Sequence, residues 1–261
     1  MIKKKTPFVK EWENLCRKEE RFLKSREEKK DSILNQKLAE KVPEKLQSTL
    51  DAAFAKAFSL IFEKGTGIIE KTYNKNALKI DYQVACYADD LTQSRKSLHA
   101  FSRKAQGSGA KNLLISGVSG ISLGALGVGL PDIPLFTGMI LKSIYETALH
   151  FGYEYESEKE QYFILLLIQG AVAYGGRLQE VNAKADHYIA DPALPEGYCR
   201  EEEIRRTADM LSKELLYMKF LQGIPVVGAV GGAFDAVYMK RITEYANLKY
   251  EKRFLLNKKQ S

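Results

Sequence analysis

Three acidic residues lie inside stretches that are otherwise strongly apolar: Asp132 in LPDIP, Glu146 in KSIYETALHF and Asp235 in GGAFDAVY. A carboxylate in apolar surroundings can act as a general acid or base, because burial moves its pKa away from the ordinary range. Within a membrane such a group points to function more strongly still. The structural alternative is a cap or a paired charge. Asp132, between Pro131 and Pro134, suits the N-cap of a helix starting at Ile133, with its charge at the positive end of the helix dipole. Lys142 precedes Glu146 by one helical turn and can pair with it. The remaining chemistry is sparse. His99, His150 and His187 form neither HxxxH nor HExxH, so no histidine-based zinc site is expected. No GxGxxG occurs. GTGIIEK at 65–71 lacks phosphate-loop spacing and follows no strand-like run; Thr66 reads better as a helix N-cap, with Ile68 and Ile69 going to the core. No cofactor and no metal are expected, and no catalytic residue is assigned.

The elements that carry these residues are helices. Apolar residues recur at three- and four-residue spacing along the chain, and no convincing alternating run suggests a strand. Leu46, Leu50, Phe54, Phe58 and Ile61 mark one core helix; Ile204, Ala208, Leu211, Leu215 and Met218 mark another. Between them Leu78, Tyr82, Ala85, Leu91, Leu98 and Phe101 are core candidates. The run Leu135–Phe151 is apolar nearly all round and predicts a buried helix. So does Tyr162–Tyr174, whose helix is expected to continue to Ile189. Two further segments, 113–130 and 220–238, combine apolar residues with glycine. Each glycine costs a helix about 1 kcal/mol relative to alanine, a cost that close backbone approach offsets. Gly120 and Gly124 form one GxxxG match, Gly228 and Gly232 another, and these segments are expected to pack together centrally. A tightly packed soluble bundle and a membrane-embedded helix both fit them.

The expected fold is all-α: a single multi-helix domain at 43–256, preceded by a basic amphipathic helical segment at 1–42 and followed by a basic tail at 257–261. The formal net charge of +7 is uneven: residues 1–45 carry 14 Lys/Arg against 9 Asp/Glu, and residues 239–261 carry 7 against 2. Basic ends suit an anionic phospholipid surface. Nucleic acid is disfavoured, since no zinc-finger spacing, RNP-like motif or basic patch occurs in the body. From Pro7 onward, Phe8, Trp12, Leu15, Phe22 and Leu23 share one helical face opposite a charged one. Such a helix can lie in a membrane interface, with Phe8, Trp12 and Phe22 as contacts, or pack on its own domain. Cys16, Cys86 and Cys199, scattered and odd in number, suggest a reducing setting, and no secretory h-region opens the chain. The expected location is cytoplasmic, peripheral to the inner face of the cell membrane.

Taken in order, GTGIIEK at 65–71, LPDIP at 130–134, IYETALHFGY at 144–153, IPVVGAVGG at 224–232 and TEYA at 243–246 resemble the EcsC family of bacterial proteins over about residues 45–250. The resemblance implies a helical architecture and association with membranes or membrane-protein complexes; it supplies no catalytic residues. Two functions follow as expectations. One is a non-enzymatic accessory or regulatory protein at the cytoplasmic membrane face, with a membrane-protein partner. The other is an enzyme acting on a lipid-like or membrane substrate through Asp132, Glu146 and Asp235.

Overall fold

The computed structural model describes residues 5–28, 44–64, 67–108, 133–221 and 231–260; they are helical apart from short turns, and no strand occurs among them. In chain order the helices are α1 (Pro7–Lys24), α2 (Glu44–Lys64), the single turn α3 (Gly67–Glu70), α4 (Lys75–Thr92), α5 (95–108), α6 (Ile133–His150), α7 (Glu158–Val172), α8 (Gly175–Ala190), α9 (Arg200–Leu221) and α10 (Gly231–Gln260). The all-α expectation holds.

α7 is the centre. From Glu160 to Val172 every residue is buried, as expected of a helix with no polar stripe. Its one mid-helix polar side chain, Gln169, is satisfied: Nε2 donates to Glu203 Oε1 at 2.6 Å and to Thr207 Oγ1 at 2.9 Å on α9. The long α10 packs against α7 and α6, and α8, α9 and α1 also touch it. Tyr238, Ile242, Tyr245, Ala246, Tyr250 and Phe254 carry its buried surface. α2 lies on α9 and α6, while α4 covers another side of α6.

At Gly170 of α7 the Tyr245 ring of α10 packs directly on the helix, and a Cβ there would run into that ring. Tyr245 cannot easily yield: its ring stacks on Phe22 at 5.0 Å, and its hydroxyl donates to Asn182 Oδ1 at 3.0 Å. Of the four glycines expected to mediate helix packing, Gly120, Gly124 and Gly228 lie outside the described residues. Gly232 falls in the first turn of α10.

Two expectations are corrected. The helix through Tyr162–Tyr174 does not run on to Ile189. Ala173 and Tyr174 are extended, and Gly175 restarts the chain at φ +54°. The end of α1 reinforces this corner: Arg26 donates to the Ala171 carbonyl at 2.7 Å, and Gly175 N–H donates to the Arg26 carbonyl at 2.9 Å. A side chain from the turn after α1 thus satisfies one of the last carbonyls of α7. The second correction is Leu91, which is exposed rather than in the core. The inward positions of α4 step through Leu78, Tyr82, Ala85 and Asp89. Asp89 takes the last of them, accepting from Ser97 Oγ at 2.6 Å and Lys258 Nζ at 2.8 Å.

Candidate functional site

Of the three candidate carboxylates, Glu146 is the one whose side chain is among the described residues. Glu146 sits in the buried body of α6 with Lys142 Nζ 3.5 Å from its Oε1, the pairing that the helical spacing predicts. Asp132 lies outside the described residues. Asp235 belongs to α10, but its side chain is not among those described.

The α1 aromatics face inward. Phe22 is 4 % exposed, stacked on Tyr245 and covered by the Arg26 guanidinium 4.0 Å from its ring centre. A ring so enclosed cannot meet a bilayer, so Phe22 is corrected from membrane contact to core anchor. Phe8 and Trp12 are half-buried and pack on the same core. Electrostatics seat the helix further. Lys249, fully buried on α10, reaches Glu19 of α1 at 2.5 Å and Asp186 of α8 at 2.6 Å, and Lys252 bonds the same two carboxylates. At the other end Glu11 accepts from Arg95 Nε at 3.1 Å and lies 2.8 Å from His99 Nδ1. Burial works to raise the Glu11 pKa, but the bonds to His99 and Arg95 outweigh it and leave it below the ordinary carboxylate value.

The positive excess of the C-terminal stretch is likewise largely internal. Arg241, Lys249, Lys252, Arg253 and Lys258 all engage carboxylates: Glu214, the Glu19–Asp186 pair, Glu160, and the Asp89–Asp90 pair. What reads in sequence as a basic tail is in good part mortar between helices.

Two of the segments that carried the family resemblance do meet. Glu70, from GTGIIEK, accepts from Tyr155 Oη at 2.6 Å; Tyr155 shares a 2.6 Å hydrogen bond with Tyr73 and stacks, at 4.0 Å, on Tyr145 of IYETALHFGY. Lys75, at the start of α4, bonds Glu70 at 3.2 Å as well as Glu156, with its ammonium 4.5 Å from the Tyr155 ring centre. The cluster borders an open groove of about 710 Å³ lined by residues 67 and 70–76. Burial, followed by the bond to Glu70, pushes the Tyr155 phenol far up, and burial pushes Tyr73 and Tyr145 up as well. Burial opposes the Lys75 charge, but Glu156 and Glu70 more than compensate and raise its pKa. Tyr155 and Lys75 are thus held as donors to the one carboxylate of Glu70.

From this cluster α4 leads out along an unpartnered face. Ile80, Val84, Tyr87 and Leu91 recur at steps of four, three and four, and stand 57, 58, 68 and 67 % exposed. Helical geometry puts Asp81 and Asp90 on opposite edges of this stripe. Each is matched by a lysine from another helix: Lys104 Nζ lies 3.8 Å from Asp81, and Lys258 Nζ 3.3 Å from Asp90. Lys79 on the same helix is half-exposed and paired with Glu154 at 2.5 Å, while Lys96 and Lys259 stand exposed. Sequence reading missed the stripe because α4 is apolar on two faces. Once Leu78, Tyr82 and Ala85 are assigned inward, Ile80, Val84 and Tyr87 form a second register that the core does not need.

An all-helical domain with these motifs in this order is the EcsC kind of protein. The EcsC protein family matches residues 8–255, and the chain belongs to that family. The match takes in α1, whose Leu15 and Phe22 share one core with the other helices. Among individual proteins the chain is similar to Uncharacterized protein YdbA of Bacillus subtilis (strain 168), 26 % identical over 174 residues, covering 65 % of this chain and 64 % of that relative. The chain thus spans somewhat less than two thirds of that relative's length. No solved structure matches.

Proposed function

We propose that the protein is a non-enzymatic accessory or regulatory protein acting at the cytoplasmic face of a membrane, which it meets through the exposed face of α4 alongside a membrane-protein partner. The observation that carries this is the stripe Ile80–Val84–Tyr87–Leu91. A contiguous exposed apolar row on an otherwise well-packed helix marks an interaction surface. Lipid is the occupant that suits its edges. The carboxylates beside the stripe are already matched by lysines, and Lys96 and Lys259 are exposed cations in addition. Each cation near an anionic leaflet contributes about 1 kcal/mol, and lysine stems lie well at an apolar–aqueous boundary. No helix among the described residues is long and apolar enough to cross a membrane, which accords with attachment through a face. The enzyme reading draws no comparable support: Glu146 lines neither of the two cavities described in this structure.

Flotation with vesicles of neutral phosphatidylcholine, with and without anionic phosphatidylglycerol, tests the reading. Wild type should float with the anionic vesicles and less so as salt screens the lysines. Ile80→Glu/Leu91→Glu should stay at the bottom while retaining its helical spectrum. A wild type that never floats, or a double variant that floats equally well, overturns it.

A further inference from the structure

On the side of the molecule built by α7, α8 and α9, the loop 191–199 arches over a cleft of about 440 Å³. That volume lies within the roughly 300–1,000 Å³ typical of small-molecule sites. Its apolar walls come from Tyr162 and Tyr188, both buried, and from Leu194 and Pro195 of the loop. Lys184 and His187 line it from one face of α8, Lys184 donating to Glu180 Oε1 at 2.7 Å, and Arg206 lines it from α9.

The polar groups are arranged asymmetrically. Glu203 is the one carboxylate lining the cleft, and both of its oxygens are engaged: Oε1 accepts from Gln169 Nε2 at 2.6 Å and Oε2 from Arg206 at 2.8 Å. The same bond holds Arg206 at the cleft edge through one nitrogen, leaving the other donors of its fork. The cleft therefore offers donors and little acceptor capacity. A ligand with a hydrogen-bond-accepting anionic end and an apolar body meets both halves; a cation is met by neither, and a polyol only by the donors.

We propose that this cleft binds a small soluble amphiphilic anion, a carboxylate or phosphate carried on one short acyl chain or ring, with Arg206 and His187 holding the head and Tyr162, Tyr188 and Leu194 the body. A cavity of this size houses one such chain and not a diacyl lipid. The site is separate from the face of α4 and stands whether or not the protein meets a membrane.

Octanoate and octyl phosphate are suitable probes, with octanol and inorganic phosphate as their halves. Calorimetric titration of the full chain should show saturable binding of at least one whole probe, and a melting temperature that climbs with its concentration. Octanol and phosphate should each bind at least tenfold more weakly. Arg206→Leu should weaken binding tenfold or more. That variant leaves Glu203 buried without its cation and risks misfolding, so Leu194→Trp, which fills the cleft without touching the pair, provides the second arm and should also lose at least tenfold. Ile80→Glu/Leu91→Glu should bind as wild type does. No binding of either whole probe, equal binding by octanol, or binding unchanged in Leu194→Trp would overturn the proposal. So would binding lost in the α4 variant instead, since that places the probe on the exposed stripe.

Discussion

α1 and α4 are both 18 residues long and both amphipathic, and the fold treats them in opposite ways. α1 has the sharper division between apolar and charged faces, and in sequence it is the obvious membrane helix. It is nevertheless turned inward, with Leu15 and Phe22 in the core and Glu11 and Glu19 engaged by cations of α5 and α10. α4 is the blander sequence, yet it leaves four large apolar side chains in solvent. Amphipathicity shows that a face needs covering; it does not show what covers it. For α1 the cover was written elsewhere in the chain, in Tyr245, Lys249 and Lys252, more than 200 residues away. For the outer face of α4 no such partner is written among the described residues.

The widest gap between the two helices should appear in stability. Phe22→Ala removes a ring that is buried, stacked and capped by Arg26, and such truncations cost roughly 3–5 kcal/mol. Urea denaturation should show a midpoint shift of that order. A loss below about 1 kcal/mol would mean that α1 is only loosely seated and would reopen it as a membrane helix.

A second contrast lies in pH. His150, at the end of α6 beneath α4, is buried with Nε2 2.8 Å from Ser108 Oγ, and burial pushes its pKa from 6.5 down to about 4. The folded form binds the proton more weakly than the unfolded form, so stability present above pH 6.5 is lost as pH falls toward 4. The full shift corresponds to about 3 kcal/mol. Glu11, on the α1 seam, is also depressed, so its contribution begins to fall only below the ordinary value of 4.5. Stability measured from pH 7.5 to 3.5 should therefore fall in two stages. His150→Gln should flatten the upper stage and Glu11→Gln the lower. A profile that His150→Gln leaves unchanged would show that this histidine is solvated.

Much of this architecture is legible in sequence and some of it is not, for identifiable reasons. The inward rows of α2, α6, α7 and α9 are local patterns, so periodicity finds them. The Lys142–Glu146 pair is local as well, one turn apart on a single helix. The Gly175 corner is not. Nothing in YFILLLIQGAVAYGG forbids a continuing helix, and the break is held by Arg26, about 150 residues earlier. The Glu70–Tyr155–Tyr73 cluster escaped notice because phenols and single carboxylates match no spacing rule and meet only through tertiary structure. Glycine needed for close approach was expected at GxxxG repeats, yet a described close approach is at Gly170, a lone glycine whose partner is an aromatic ring.

Gly170 also links the core to the seat of α1. Gly170→Ala would push on Tyr245, the ring that supports Phe22, and overpacking of this kind costs about 1–3 kcal/mol. Because the two sites share Tyr245, Gly170→Ala and Phe22→Ala should combine non-additively. A double-mutant cycle that adds within about 0.3–0.5 kcal/mol would show that the α7–α10 contact and the α1 seat are independent.

The smallest stability effect is expected on the outer face of α4, and its smallness is informative. Val84→Thr and Leu91→Gln replace side chains that are more than half exposed. Surface substitutions of this kind usually fall within about 0.5 kcal/mol of neutral. Urea midpoints close to wild type, together with weaker flotation on anionic vesicles, would mark a face kept apolar for something outside the folded chain. If either substitution instead costs more than about 1 kcal/mol, the stripe is covered within the protein itself. α4 would then resemble α1, and the contrast on which the membrane proposal rests would be gone.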